Sequence, residues 1–217
     1  MRTVSGIVML AIAGAALWTG GLFFGLLCAL VAGAVLAEFW ALVRKFTTTL
    51  AGRVLWMGFG LVYIGLAVIA LIFTRIEPGA GLQALMLIMA VIATDVGAYF
   101  VGRAIGGPKL APRISPNKTW AGLLGGMVAA TAIWTGYNLL TDGQSLRIAV
   151  TSGILIAIVA QSGDLLESWM KRRAGVKDSG TLIPGHGGVF DRVDGMLAVF
   201  FVFGLTHIVL IWRYFSP

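Results

Sequence analysis

A short charged stretch interrupts an otherwise apolar chain between Lys177 and Gly195. The stretch, KDSGTLIPGHGGVFDRVDG, contains three aspartates, two cations, one histidine and five glycines. Glycines let a ligand approach the backbone closely, and consecutive amide N–H groups can bind an anionic phosphate. Carboxylates are ligands for a divalent cation that bridges phosphates, and an arginine offers a planar fork to phosphate oxygens. A connecting loop before a helix N-terminus would explain one aspartate but explains the whole set poorly.

A polar stripe precedes this stretch. Asp164, Glu167, Ser168 and Lys171 are spaced i, i+3, i+4 and i+7, which places them on one face of a helix. Two carboxylates one turn apart suit a divalent cation, which prefers oxygen ligands. The alternative is an ordinary ion pair at a helix end whose long side chains extend toward water.

A basic segment, GRAIGGPKLAPRISPNKTWAG, runs from Gly102 to Gly122 with four cations and no acid. Residues 115–119 predict a turn that leads into a helix, with serine and threonine supplying hydroxyls and caps. Alone, the segment is also compatible with a basic loop that sets membrane topology. Together with the acidic stretch, it predicts that both segments bind phosphates from opposite sides.

The composition indicates that these segments belong to a membrane protein. Of the 217 residues, 59% are hydrophobic and 12% are charged, so the bilayer must be the solvent of this chain. We expect an all-α polytopic integral membrane protein in which 1–217 form a single membrane domain. The N-terminal helices occupy about 1–80, and the catalytic helices and loops about 82–213. Seven membrane-spanning helices are predicted at about 4–19, 21–43, 54–74, 82–103, 120–140, 147–168 and 194–213.

The positive charges predict the orientation. If the N-terminus is cytoplasmic, 13 of the 16 Lys and Arg residues lie on the cytoplasmic side and only Arg75, Arg147 and Arg213 lie outside. The active site is therefore expected at the cytoplasmic membrane interface. The net charge of +7 is explained by these loops and by anionic lipid, and we expect no nucleic-acid partner. The single cysteine, Cys28, excludes an internal disulfide.

The segment from Ser168 to Asp194 resembles the signature of the phosphatidate cytidylyltransferase family, also called the CDP-diacylglycerol synthases. The signature has a serine, Lys-Arg, Lys-Asp and the ending Pro-x-His-Gly-Gly-x-x-Asp-Arg-x-Asp, all of which are present here. Asp95, Gly102-Arg103 and 115–120 are also similar to the family. The resemblance covers Thr94 to Asp194, and the helices before it match only in being apolar. Ala121 stands where the family often has glutamate, so no role for that carboxylate carries over.

The resemblance implies transfer of CMP from CTP to phosphatidic acid, which gives CDP-diacylglycerol and pyrophosphate. It also implies dependence on Mg²⁺, with room for a second cation, and a homodimer embedded among membrane lipids. We expect the protein in the inner membrane of a bacterium, with its catalytic loops in the cytoplasm. Because the lipid phosphate is already a nucleophile, the protein must mainly align two phosphates and neutralise their repulsion.

The resemblance also implies roles for individual residues. Asp164, Asp191 and Asp194 are the predicted metal ligands. The predicted catalytic residues are Asp164, Lys171, Lys177, Asp178, His186, Asp191, Arg192 and Asp194. The predicted substrate-binding residues are Ser115, Asn117, Lys118, Thr119, Ser168, Arg172, Gly187 and Gly188.

Alternative functions differ in where they require polar groups. A related CTP-using enzyme, such as a CDP-archaeol synthase or a polyprenol kinase, would use a similar site on another lipid. An ion-coupled transporter would use Glu38, Asp95 and Asp164 across the depth of the membrane. A CDP-alcohol phosphotransferase is excluded because the chain has no acid after Asp194, and a Walker ATPase is excluded because it has no P-loop.

Overall fold

The computed structural model describes residues 2–76, 81–141, 143–183, 185 and 187–215. These residues form seven helices and one hairpin. The helices are α1 Arg2–Thr19, α2 Gly21–Phe46, α3 Leu50–Ile76, α4 Gly81–Ile105, α5 Trp120–Leu140, α6 Leu146–Arg173 and α7 Phe190–Phe215. The strands β1 Lys109–Ala111 and β2 Ser115–Thr119 pair antiparallel between α4 and α5. The predicted all-α architecture is confirmed, with this hairpin as a small addition.

The helices are suited to a bilayer. Within the described residues, six helices, α2 to α7, are long and apolar enough to cross a membrane. Their lengths reach or exceed the roughly 20 residues that a span requires. The chain is therefore a polytopic membrane protein. The predicted first span forms the 18-residue helix α1, and its crossing of the membrane stays a prediction.

The two helices that flank the charged stretch extend further along the chain towards each other than the sequence predicts. Helix α6 was expected to end near residue 168 but continues to Arg173, and α7 was expected to begin near residue 194 but begins at Phe190. The apolar runs are shorter than the helices because charged residues occupy the last turn of α6 and the first turn of α7. The backbone is helical in both turns. The three cations in the last turn of α6 are favourable at a helix C-terminus. Consequently, Lys171 and Asp191, which lie just beyond the predicted helix bounds, are part of α6 and α7.

The prediction of a turn at 115–119 is wrong. These residues form β2. Ser115 pairs with Ala111 of β1, and Thr119 pairs with Lys109 of β1. The chain reverses just before them, where the Ile114 N–H donates to the Ala111 carbonyl at 3.1 Å. A strand forms because β1 supplies backbone partners that a local turn motif cannot reveal. The predicted cap is confirmed, since the Gly122 N–H donates to Thr119 Oγ1 at 3.0 Å at the start of α5.

Glycines let α4 and α5 pack backbone against backbone. A Cβ built on Gly97 would lie 2.6 Å from the Gly125 carbonyl oxygen, and one on Gly125 would lie 2.8 Å from the Gly97 carbonyl oxygen. Small residues commonly permit such close approach between membrane helices. This contact holds together the two helices that the hairpin connects.

We predict that Gly125→Val destabilises the fold, because the new methyl groups would overlap Val101 and the Gly97 backbone. Overpacking of this kind costs roughly 1–3 kcal/mol. Gly136→Val on the same helix is the matched control, since nothing lies within 4 Å of its Cβ position. Unfolding by heat or denaturant in detergent micelles would compare the two variants. Equal stability of both would contradict the packing argument.

Candidate functional site

The polar residues converge at the end of the bundle where α2, α4 and α6 finish. Arg172 Nε donates to the Ile114 carbonyl at 3.2 Å, which joins the hairpin to the end of α6. The Phe190 N–H donates to Glu38 Oε2 at 2.8 Å, which joins the start of α7 to α2. The basic and acidic segments that are separated in sequence therefore lie at one end of the bundle.

Three carboxylates form a cluster at this end. One oxygen from each of Asp164, Glu167 and Asp194 lies within 4.8 Å of the others. Asp164 and Glu167 occupy successive turns of α6, and Asp194 lies near the start of α7. The side chain of Glu167 is 1% exposed, whereas that of Asp164 is 31% exposed, so the cluster is reached from the Asp164 side.

The close approach of α6 and α7 brings these acids together. A Cβ on Gly163 would lie 2.5 Å from the Asp194 carbonyl oxygen, and one on Gly195 would lie 3.1 Å from the Ala160 carbonyl oxygen. Each glycine adjoins one of the acids in the sequence. The absence of side-chain bulk at these two positions therefore sets the distance between Asp164 and Asp194.

The cluster has a suitable donor set for a divalent cation. Glu167 Oε1 is buried and has no hydrogen-bond partner among the described residues. A buried polar atom without a partner is costly, and a cation would supply that partner. Three carboxylate oxygens are the hard ligands that Mg²⁺ accepts. The residues present therefore fit the metal that the sequence predicts, with Glu167 as a member.

A lysine adjoins each side of the cluster. Lys118, from β2, forms an ion pair with Asp164 and donates to Gln161 Oε1 at 2.6 Å. Gln161 Nε2 in turn donates to Asp95 Oδ1 at 3.3 Å, which adds α4 to the network. Lys118 therefore connects the hairpin to α6 and, through Gln161, to α4.

On the other side, Lys171 joins α6 to α7. Its Nζ lies 2.5 Å from Glu167 Oε2 and 2.7 Å from Asp191 Oδ1. Asp191 Oδ2 also accepts the N–H groups of Ser179 and Gly188 at 2.9 and 2.8 Å. Both oxygens of Asp191 thus have partners, and Asp191 fixes the loop between α6 and α7. The structure groups Glu167, rather than Asp191, with Asp164 and Asp194, and the metal-ligand role of Asp191 stays a prediction.

Glu38 anchors the start of α7 from within the bundle. Its buried carboxylate accepts the N–H groups of Val189 and Phe190 at 3.0 and 2.8 Å, and the Ser179 hydroxyl lies 2.9 Å from Oε2. The same hydroxyl lies 3.0 Å from Asp191 Oδ2 and has one proton, so it donates to one carboxylate at a time. Glu38 was noticed in the sequence only as a charge within an apolar run, and its structural partners were not predicted.

Gly188 has a clear structural role. A Cβ at this position would lie 2.5 Å from Glu38 Oε2 and would overlap the Ser179 hydroxyl. The glycine therefore admits the Glu38 carboxylate to the loop. Gly187 has φ of +85°, a left-handed conformation that favours glycine, and it adjoins Asp191. Their predicted contacts with substrate stay predictions.

The other predicted residues lie around the same end. Ser168 Oγ donates to Asp164 Oδ1 at 3.2 Å. Lys177, Asp178, Asn117 and Arg192 are exposed, Ser115 is half-buried in β2, and His186 lies outside the described residues. Their predicted roles are untested by this geometry. Gln161 was missed altogether, because a single glutamine in an apolar helix gives no signal by spacing.

The fold and this site define a polytopic helical membrane protein with a charged site at one end of its bundle. Residues 47–210 match the sequence profile of the cytidylyltransferase family. The match covers most of the chain, and the chain belongs to that family. The resemblance seen in the sequence is thereby confirmed.

Several relatives carry the name phosphatidate cytidylyltransferase. The Brucella suis protein is 48% identical over 144 residues, which are 66% of this chain and 53% of that protein. The Rickettsia bellii protein is 33% identical over 218 residues, covering 94% of this chain and 90% of that protein. The Pseudomonas aeruginosa protein is 37% identical over 163 residues, covering 74% and 59%. The chain therefore spans about half the length of the Brucella relative and most of the Rickettsia relative.

Proposed function

We propose that this protein is a phosphatidate cytidylyltransferase that transfers CMP from CTP to phosphatidic acid. The observation that carries the proposal is the cluster of Asp164, Glu167 and Asp194 with one lysine on each side. Carboxylates that hold a metal, next to cations that bind phosphate, are the groups that nucleotidyl transfer requires. The names of the relatives support the choice of substrates.

In this proposal the lipid phosphate oxygen forms a bond to the α-phosphorus of CTP. The bond from that phosphorus to the oxygen bridging it to the β-phosphorus breaks, and pyrophosphate leaves. Lys118 and Lys171 neutralise the phosphates as they approach, and the hairpin and α7 hold them in register. Mg²⁺ held by Asp164, Glu167 and Asp194 would supply further positive charge to the phosphate oxygens.

The location suits a lipid substrate. The cluster lies at the ends of membrane-spanning helices, where the phosphate of a bilayer lipid also lies. We propose that this end faces the cytoplasm, because the loops at this end carry most of the Lys and Arg residues. We also propose a homodimer in the inner membrane of a bacterium, and a second cation site, as the family resemblance implies.

The position of the label in CTP tests this function. Purified protein would receive phosphatidic acid, Mg²⁺ and CTP labelled at either the α- or the γ-phosphate. We expect α-label in the lipid and γ-label in pyrophosphate. Transfer of γ-label to the lipid would instead establish a CTP-dependent lipid kinase and overturn the proposal.

Lys118→Ala is expected to lower kcat/KM for CTP about 100-fold, which corresponds to about 2.7 kcal/mol of transition-state stabilisation. The loss arises because Lys118 is the cation on the exposed side of the cluster. Lys118→Arg should restore part of the activity. Lys109→Ala is the matched control, since Lys109 is an exposed lysine of the same hairpin, and its effect should stay within about twofold. Steady-state kinetics with CTP varied would show whether the two lysines differ.

A further inference from the structure

An apolar groove lies within the membrane-spanning part of the bundle. Its volume is about 340 Å³, and its walls come from α1, α2, α3, α4 and α7. The volume falls in the range of small-molecule binding sites. Every lining residue in the described part of the chain is apolar. The groove therefore fits a hydrocarbon rather than a polar ligand.

The α4 wall leads directly to the polar network. Leu85, Ile88 and Ile92 line the groove at helical spacing. Asp95 follows Ile92 by three residues and Ile88 by seven, so it continues the same face one turn further on. Asp95 contacts Gln161, the partner of Lys118. One helix face thus passes from an apolar wall to the charged site.

The walls from α7 and α2 also pass from apolar residues to charged ones. On α7 the groove begins at Val193, which adjoins Asp194 in the sequence, and continues through Met196 to Phe200. On α2 it extends from Phe24 to Val31, and Glu38 follows Val31 by seven residues on the same face. Phe24 and Glu38 are therefore about 21 Å apart along α2 at 1.5 Å per residue. One hydrocarbon leaflet is roughly 15 Å thick, so this helix face is long enough to lie along one acyl chain.

We propose that this groove binds one acyl chain of phosphatidic acid, whose phosphate lies at the three-carboxylate cluster. An apolar groove that adjoins a phosphate site matches an amphiphile with an anionic head and a hydrocarbon tail. The inference rests on the proposed function, since it assigns the tail of the same substrate. Because an acyl chain gains no hydrophobic energy on leaving the bilayer, the groove acts by shape, through packing contacts that position the lipid.

Chain length provides the first test. Gly14 lies in α1 and lines the groove, and nothing lies within 4 Å of its Cβ position. Gly14→Phe should lower kcat/KM about tenfold for dioleoyl phosphatidic acid but change it less than about twofold for dihexanoyl phosphatidic acid. Gly33→Phe is the matched control, because Gly33 is equally open but does not line the groove. This control should leave both substrates unaffected.

The outcomes separate the inference from the function. Equal losses on both substrates, or no loss on either, would overturn the groove assignment while leaving cytidylyl transfer intact. A wild-type protein that forms no CDP-diacylglycerol from either substrate would instead overturn the proposed function. Turnover of the dihexanoyl substrate by Gly14→Phe also reports that the variant is folded.

Photocrosslinking provides a second measurement on the unmodified protein. Phosphatidic acid with a diazirine midway along one acyl chain should label groove residues of α2, α4 and α7, such as Met89 and Met196. Excess phosphatidic acid should suppress this labelling, and phosphatidylcholine should not. Equal suppression by phosphatidylcholine would show a cleft for bulk lipid and overturn the proposal, as would labelling confined to the outer faces of the helices.

Discussion

Asp194→Asn is expected to reduce cytidylyl transfer by roughly 100-fold or more while leaving the fold intact. The substitution keeps the shape of the side chain but replaces one of three carboxyl groups whose oxygens lie within 4.8 Å of one another. The cluster would then bind Mg²⁺ more weakly, so the magnesium concentration for half-maximal activity should rise. Glu167→Gln should behave in the same way. Turnover measured across a magnesium titration would show both effects.

Asp191→Asn distinguishes the two possible ligand sets. If Asp164, Glu167 and Asp194 hold the metal, Asp191→Asn should lower activity and stability without raising the magnesium requirement. Its carboxylate contacts Lys171 and the loop backbone, so its loss loosens the loop instead. A raised magnesium requirement in Asp191→Asn, with a normal one in Glu167→Gln, would favour the set predicted from the sequence. Asp142→Asn, between α5 and α6 in the sequence, serves as the control for a lost charge.

The helices and the polar stripe could be predicted because both depend on local periodicity. Apolar runs identified the seven helices of the described residues, six of which are long enough to cross a bilayer. The i, i+3, i+4 and i+7 spacing placed Asp164, Glu167 and Lys171 on one face, where the structure also has them. Intramembrane charge also drew attention to Glu38, although only as part of the ion pathway that a transporter would use.

The partners of these residues could not be predicted in the same way. Lys118 lies 43 residues from Gln161, and Ser179 lies 141 residues from Glu38. Such pairs form only because helices pack at particular distances, which glycines such as Gly163 set. A motif shows which residues occur together in a segment, whereas the ligand set depends on which segments meet. Asp164 and Glu167 of α6 meet Asp194 of α7 in this way, because the two helices approach closely at Gly163 and Gly195.

The positions of the acidic residues also distinguish an enzyme site from the ion pathway of a transporter. Glu38 has three protein donors, so it is used to hold α7 rather than left available to a moving ion. Asp95 and Asp164 belong to the same network as the three-carboxylate cluster. The charges that a transporter would distribute across the membrane are thus joined in one site at one end of the bundle.

Glu38→Ala is expected to cause the second large effect. Glu38 positions the start of α7 and does not itself contact the substrates in the proposed reaction. Removing the carboxylate leaves the buried N–H of Phe190 and the part-buried N–H of Val189 without this acceptor, at about 1–3 kcal/mol for a fully buried group. The start of α7 should then shift, which moves Asp191 and Asp194 relative to α6. We expect a loss of several kcal/mol in the free energy of unfolding and a fall in kcat of more than tenfold. Glu38→Gln, which keeps one acceptor, and Ser179→Ala, which removes one donor, should have smaller effects.

A positioning role predicts more than instability. At a temperature where each variant is fully folded, Glu38→Gln should still show a lowered kcat, because the displaced acids no longer meet the phosphates correctly. Thr74→Val is the matched control, since Thr74 is buried but bonds to the Ala70 carbonyl within its own helix. It should lower stability modestly and leave kcat unchanged. If Glu38→Gln loses stability but retains normal kcat, Glu38 supports only the fold, and the start of α7 does not depend on it for the alignment of the site.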